Sequence, residues 1–307
     1  MSGLRDGLND YLALRRGLGY KLERAESLLS DFVNYIEGQS SPFVTTKLAL
    51  DWASLPSDAS PNWKAERLCM VRGFAKYVHA FDPRTELPSQ ELLPFRKKRN
   101  TPYLYSDKDI VELLKATRGI CTPLKACTYA TLIGLIAATG MRVGEAIALD
   151  RTDSDGRDKL LVVRESKFGK SRELPLHSTT IKALRSYART RDQVFPSLRT
   201  PSFFVSRAGT RLIYNNVHAN FLTLVRRAGL SKRCPRRPRI QDLRHTFAVK
   251  TLLGWYKAGL NVESRMPLLS TYLGHVCPTN TYWYLTATPE LLRLAAERRE
   301  RVRGDLS

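Results

Sequence analysis

The side chains of this sequence that are spaced to do chemistry are basic or phenolic. Thr139-Gly140-Met141-Arg142 reads as the end of one helix and the start of another over 142–149. That sets the Arg142 guanidinium beside free backbone N–H groups, an arrangement that suits a phosphate. Taken alone, a surface arginine is the commoner reading of such a segment. Gln241-Asp242-Leu243-Arg244-His245 follows the most basic stretch of the chain, 226–239, which holds seven Lys/Arg and no acid. Leu273-Gly274-His275 closes a further helix, and Tyr284 stands nine residues after His275. A single histidine after a helix is more often a cap than a catalyst.

Other chemistries lack their motifs. The sequence has no GxxxxGK[ST] loop, no GxGxxG after a strand, no HExxH and no GxSxG. Nucleotide hydrolysis, dinucleotide redox chemistry, zinc proteolysis and serine esterase chemistry are therefore disfavoured. No tight Asp/Glu cluster suggests a two-metal nuclease. The five cysteines, Cys69, Cys121, Cys127, Cys234 and Cys277, form no C-x-x-C pair. An odd, scattered set fits free thiols in a reducing compartment, not a disulfide framework or a zinc site.

The elements that must position these residues fall into two parts. In the first, Leu22, Ala25, Leu29, Phe32 and Ile36 recur at helical steps, and helices are expected over 20–38, 45–54 and 62–80. Pro56, Pro61, Pro83 and Pro88 punctuate this part. A basic, proline-containing connector, LPFRKKRNT, opens the stretch 93–102. The second part is mixed. Helices are expected over 106–117, 123–138, 178–191, 216–228, 242–258 and 262–273, with two short strands over 159–165 and 172–177. A last helix should start at Thr288-Pro289-Glu290, where a cap, a first-turn proline and a first-turn acid coincide. Its Leu291, Leu292, Leu294, Ala295 and Ala296 are expected to bury. The fold class is mainly α with a small β-sheet (α+β), divided as 1–92, a linker over 93–102, and 103–307.

Charge says what such a protein handles. The chain has 307 residues, 50 Lys+Arg against 29 Asp+Glu, and a formal charge of +21. The first hundred residues carry +3 of this and the remainder +18. That excess points to a polyanion, because neutralising phosphates releases condensed counterions. A mixed-sign solubilising surface is the competing reading. No apolar run approaches the roughly 20 residues of a membrane span, and the N-terminus lacks the apolar stretch of a signal peptide. A cytoplasmic, nucleoid-associated protein without membrane contact is expected.

Thr139–Leu149 (TGMRxxEAxxL), the Lys167 turn, Asp242–Ala248 (DLRHTFA), Leu273–His275 (LGH) and the tyrosine nine positions later resemble the tyrosine site-specific recombinases. That family comprises phage-type integrases, Xer-type recombinases and related transposases. The match in order and spacing runs over about 180 residues of the second part. The helical first part resembles the family's core-binding domain by size, position and helical content. The resemblance implies a site-specific recombinase that cleaves and rejoins duplex DNA through a 3′-phosphotyrosyl intermediate, without metal, nucleotide or other cofactor. Arg142 and Arg244 would clamp the scissile phosphate and Tyr284 would attack it, with Tyr282 as the adjacent competitor. Lys167, with Lys170 as its competitor, would protonate the departing 5′ oxygen. His275 would bind the phosphate or orient the tyrosine, and Glu145 would hold an orienting salt bridge. Arg236, Arg237 and Arg239 are expected phosphate contacts. The partners implied are a duplex carrying a recombination site and further copies of the chain in a tetrameric synapse, docked through the C-terminal helix.

Two departures stand out. Where the family commonly has histidine three residues before its second arginine, this chain has Gln241, which can bind a phosphate oxygen but cannot carry a proton. Neighbouring His245 could help or be structural. The Arg244–His275 interval is also longer than expected, suggesting an insertion around 254–266. The alternatives are a weak or inactive DNA-binding relative of the recombinases, and a type IB topoisomerase-like enzyme.

Overall fold

The computed structural model describes residues 3–20, 22–95, 101–155, 159–164, 171–233, 237–286 and 288–304. The chain forms two compact units, Met1–Asn100 and Thr101–Ser307. The first contains α1 (Leu4–Gly17), α2 (Glu23–Gly38), α3 (Thr46–Ser54) and α4 (Pro61–His79). Leu8 and Leu12 of α1 bury against Leu29, Phe32, Val33 and Ile36 of α2, Trp52 of α3, and Val71 and Phe74 of α4. Ser60 caps α4 by accepting from Trp63 N, and Pro61 supplies the first helical residue. Trp52 is fixed on three sides. Its indole N–H donates to Asp31 Oδ2 at 3.0 Å, the Arg67 guanidinium lies 3.6 Å from its ring centroid, and its carbonyl accepts from Arg67 Nη2 at 2.9 Å. Helix α1 was not expected. It buries only Leu8 and Leu12, too sparse a stripe for periodicity to show.

The second unit opens with α5 (Asp107–Thr117), α6 (Pro123–Thr139) and α7 (Val143–Ala148). Strands β1 (Ser154–Asp155), β2 (Leu160–Val163) and β3 (Arg172–Pro175) follow, then α8 (Ser178–Val194) and α9 (Tyr214–Arg227). The chain continues through α10 (Asp242–Lys257), α11 (Val262–Leu273), α12 (Thr279–Tyr282), a 3-10 turn Trp283–Thr286, and α13 (Pro289–Gly304). Helix α6 lies at the centre, with Leu132, Ile133, Leu135 and Ile136 all buried. The sheet is antiparallel in the order β1-β2-β3, and Leu161 pairs with Leu174 and Val163 with Arg172. Leu161, Val163, Leu174 and Leu176 turn to the core. The two-residue β1 was not foreseen.

A separate apolar cluster joins Ala248, Val249 and Leu252 of α10 to Val262, Met266, Leu269 and Leu273 of α11, and to Tyr284 and Leu291. Residues 254–266 make the end of α10, a short turn and the first part of α11. In α13, Leu291 is buried but Leu292 is 51% exposed, contrary to the expectation that both bury. Leu294 and Ala295 are half-buried and Ala296 is exposed. Lys257 Nζ lies 2.9 Å from Glu290 Oε1 and ties α13 to α10. No helix among the described residues is long and apolar enough to cross a membrane.

Candidate active site

Two helix ends build the site. Helix α6 stops at Gly140, which takes φ +62°. A Cβ there would sit 2.4 Å from the Phe247 ring of α10, so glycine is needed both for the turn and for the close approach. Helix α11 stops at Gly274, again at φ +66°, where a Cβ would meet Arg172 Nη1 at 2.7 Å. The carbonyls left free at these two ends are taken by arginines. Arg244, in the first turn of α10, donates from Nη1 to Gly140 O at 2.9 Å and from Nη2 to Leu273 O at 2.6 Å. Arg142 Nη2 donates to Gly274 O at 2.9 Å, and Arg172 Nε to Tyr272 O at 2.8 Å. Cations at a helix C-terminus also meet the negative end of its dipole.

Glu145 of α7 locks two of these arginines together. Its Oε1 accepts from Arg142 Nη1 at 2.7 Å and its Oε2 from Arg172 Nη2 at 2.8 Å. Oε2 also takes the Arg142 backbone N–H at 2.8 Å. Of the backbone N–H groups that the sequence places beside Arg142, the residue's own is taken by Glu145. Burial alone would raise the Glu145 carboxyl, but Arg172 and Arg142 hold it below the usual carboxylate range. Arg172 was missed by the sequence reading. Its signal was available: it shares a strand face with inward Leu174 and Leu176, and an arginine in such a position must find a partner.

Arg244 is 6% exposed, and no carboxylate among the described residues forms an ion pair with it. Burial and then the charge of Arg142 lower its pKa to about 10, with Arg172 acting in the same direction and Tyr284 and Glu145 opposing. Two of the three guanidiniums thus share one carboxylate while Arg244 binds only carbonyls, and the cluster is short of negative charge. An anion such as a phosphodiester would supply it.

Beside the cluster stand two imidazoles and the phenol. Tyr284 is 2% exposed, whereas the competing Tyr282 is 47% exposed. Tyr284 Oη lies 3.1 Å from His245 Nδ1, and the Tyr284 ring stacks on His275 with centroids 6.2 Å apart. His275 Nδ1 shares a 2.7 Å hydrogen bond with Thr281 Oγ1. Burial, followed by Arg244, Arg142 and Arg172, lowers His275 to about 4. His245 is also lowered to about 4, by burial and by Arg239 and Arg244 against Asp242.

The remaining candidates are more scattered. Gln241 is exposed at the head of α10, and its side chain forms no cap. Arg239 is bound to Asp242, Nη2 to Oδ1 at 2.8 Å, while Arg237 is exposed. Lys167, Lys170 and Arg236 lie outside the described residues.

A cluster of arginines beside a buried phenol, carried on this helical domain, is the arrangement of a tyrosine-recombinase type of catalytic unit. The chain belongs to the phage integrase family, whose model matches residues 104–290. It is 44% identical over 308 residues to a putative integrase/recombinase, y4rB, of Sinorhizobium fredii, with 98% of each chain covered. Among solved structures it resembles the Tn1549 transposon integrase in complex with transposon right end DNA, with TM-score 0.64, 16% identity, and 95% and 98% of the two chains covered. It also resembles a lambda integrase tetramer bound to a Holliday junction, with TM-score 0.61, 17% identity, and 91% and 79% covered.

Proposed function

We propose that this chain is a site-specific recombinase that cleaves and rejoins duplex DNA through a 3′-phosphotyrosyl bond at Tyr284. The observation that carries the reading is the cluster around Arg244, where three guanidiniums gather about a single carboxylate that pairs with only two of them, next to a buried tyrosine. Arg142 and Arg244 hold the non-bridging oxygens of the scissile phosphate, and their fixed charge is worth most on the extra negative charge of a pentavalent transition state. Tyr284 Oη attacks phosphorus, and the 5′ oxygen leaves with a proton from Lys167. Attack by a 5′ hydroxyl of a partner strand reverses the step. The phosphotyrosyl bond stores the energy of the broken phosphodiester, so neither nucleotide nor metal is required. His275 donates to the phosphate, and Gln241 binds it without proton transfer.

The first hundred residues serve as the core-binding half of a clamp on duplex DNA, with the basic 93–102 linker, Arg236, Arg237 and Arg239 on its phosphates. Tetrameric assembly on DNA is in keeping with the lambda integrase tetramer bound to a Holliday junction, and we assign the coupling of the copies to α13. The place of action is DNA in the cytoplasm, at the nucleoid.

A nicked suicide duplex carrying the recombination site tests the reading. A covalent protein–DNA adduct should form in EDTA without ATP, persist in Tyr282→Phe and vanish in Tyr284→Phe. Strict Mg²⁺ dependence, or an adduct that survives Tyr284→Phe, would overturn it. Strand exchange between two marked duplexes, not relaxation alone, separates a recombinase from a topoisomerase.

A further inference from the structure

We propose that His245 is a further catalytic residue, the acceptor of the Tyr284 hydroxyl proton during attack on the phosphate. This rests on the recombinase reading above. The geometry is direct: His245 Nδ1 and Tyr284 Oη are 3.1 Å apart, within reach for proton transfer. The ring is held in place. Trp283 meets it edge-on with centroids 5.4 Å apart, and the Tyr284 ring lies tilted at 5.5 Å. The other imidazole nearby has committed its Nδ1 to Thr281. Gln241, exposed and without a titrating group, cannot take the proton.

The surroundings keep His245 able to accept. The charged and titratable groups around it are Asp242 and Arg244 on its own helix, Arg239 just before it, His275 after α11, and Tyr284 itself. Asp242 would favour the imidazolium, but it is bound to Arg239. Burial and the two arginines win, and the ring is neutral at neutral pH. A neutral imidazole carrying its proton on Nε2 presents the Nδ1 lone pair to the phenol. When a phosphate enters, its charge offsets that of Arg244 and raises the basicity of His245 at the moment the proton moves. The balance is closed. The Oη–H bond breaks and Nδ1–H forms, Oη–P forms, and P–O5′ breaks with the proton supplied by Lys167. On rejoining, the imidazolium returns its proton to the departing phenolate.

The test is single-turnover cleavage of the suicide duplex by the full chain. His245→Gln keeps a hydrogen-bonding group but cannot carry a proton. It should retain DNA affinity and cleave about 10²–10⁴-fold more slowly. Wild-type cleavage should be nearly flat from about pH 6 to 9, while the variant should gain about tenfold per pH unit as hydroxide takes over. A substrate with sulfur at the bridging 5′ position needs no proton on its leaving group, so it should rescue Lys167→Ala but not His245→Gln. Added imidazole should restore His245→Gly in proportion to its free base, which also covers a Gln variant that fails to fold. Wild-type rate and pH profile in His245→Gln, or rescue of that variant by the sulfur substrate, would overturn the proposal. So would a folded His245→Gly that imidazole leaves inactive. If wild type forms a Tyr284-dependent adduct and His245→Gln matches it, only the role of His245 falls. If wild type forms no adduct, the parent reading fails and takes this one with it.

Discussion

Arg244 shows how much of the proposed chemistry depends on the shape of one side chain. Its two terminal nitrogens reach carbonyls at the ends of two different helices, Gly140 O and Leu273 O. A lysine has one nitrogen on a flexible stem and cannot hold both while facing a phosphate. Arg244→Lys should therefore lose adduct formation by about 10²-fold or more, with a much smaller loss of duplex affinity. Comparing adduct yield with a binding titration checks this. Equal losses in both would mean that Arg244 serves ground-state binding alone. Arg142, Arg244, His275 and Tyr284 were singled out through motifs whose order and spacing resemble the recombinases, and the structure gathers them around two helix ends. Arg172 was not singled out, because its importance depends on strand register and on which carboxylate it meets across the fold. The His245–Tyr284 contact is likewise a product of packing between α10 and the turn after α12, and 39 residues of sequence separate its members.

At the scale of elements, one carboxylate joins α7, β3 and the end of α11. Glu145 binds Arg142 and Arg172 at once, and those arginines bind the carbonyls of Gly274 and Tyr272. Both members of the Glu145–Arg172 pair are under 10% exposed at the side chain. Removing one leaves a buried charge unmatched, so Glu145→Gln should cost about 3–5 kcal/mol in unfolding free energy. The carboxyl is depressed in the folded state, so its stabilisation is full above the unfolded value and is lost as pH falls through the folded one. Wild type should thus lose this stability progressively below about pH 4.5, starting at the usual glutamate range. Glu145→Gln should lack that part of the acid slope, and denaturant midpoints across this range would show it. An unchanged slope would mean that Glu145 does not control the acid limb. The helices were readable where one face is apolar. Helix α6 was readable over 123–138, whereas α1 buries only two leucines and β1 is too short for any period. The exposure of Leu292 departs from its pattern for a different reason: α13 rests on α10 along a narrow seam centred on Leu291.

For the whole molecule the decisive quantity is the +21 charge, of which +18 lies beyond residue 100. Part of it is already spent within the fold. Arg233 pairs with Asp109 at 2.8 Å, Arg239 with Asp242 at 2.8 Å, and Arg142 and Arg172 share Glu145. The charge available to a duplex is therefore smaller than the formal total, and the salt dependence of binding measures it. Each phosphate neutralised on B-DNA contributes about −0.9 to the slope of log K against log salt. If the linker and the exposed basic residues engage six to ten phosphates, affinity should fall roughly 10³–10⁵-fold between about 50 and 200 mM salt. Arg237, exposed and preceding helix α10, should account for about one unit: Arg237→Ala lowers the slope by about 1 and weakens all duplexes alike. Arg239→Ala should behave differently. Its guanidinium neutralises Asp242, which is 1% exposed, so its removal bares a buried carboxylate and lowers stability as well as affinity. A salt titration with thermal melting on the two variants separates a phosphate contact from a structural one. Slopes and melting unchanged from wild type in both variants would mean that neither arginine reaches the DNA and that Asp242 needs no partner.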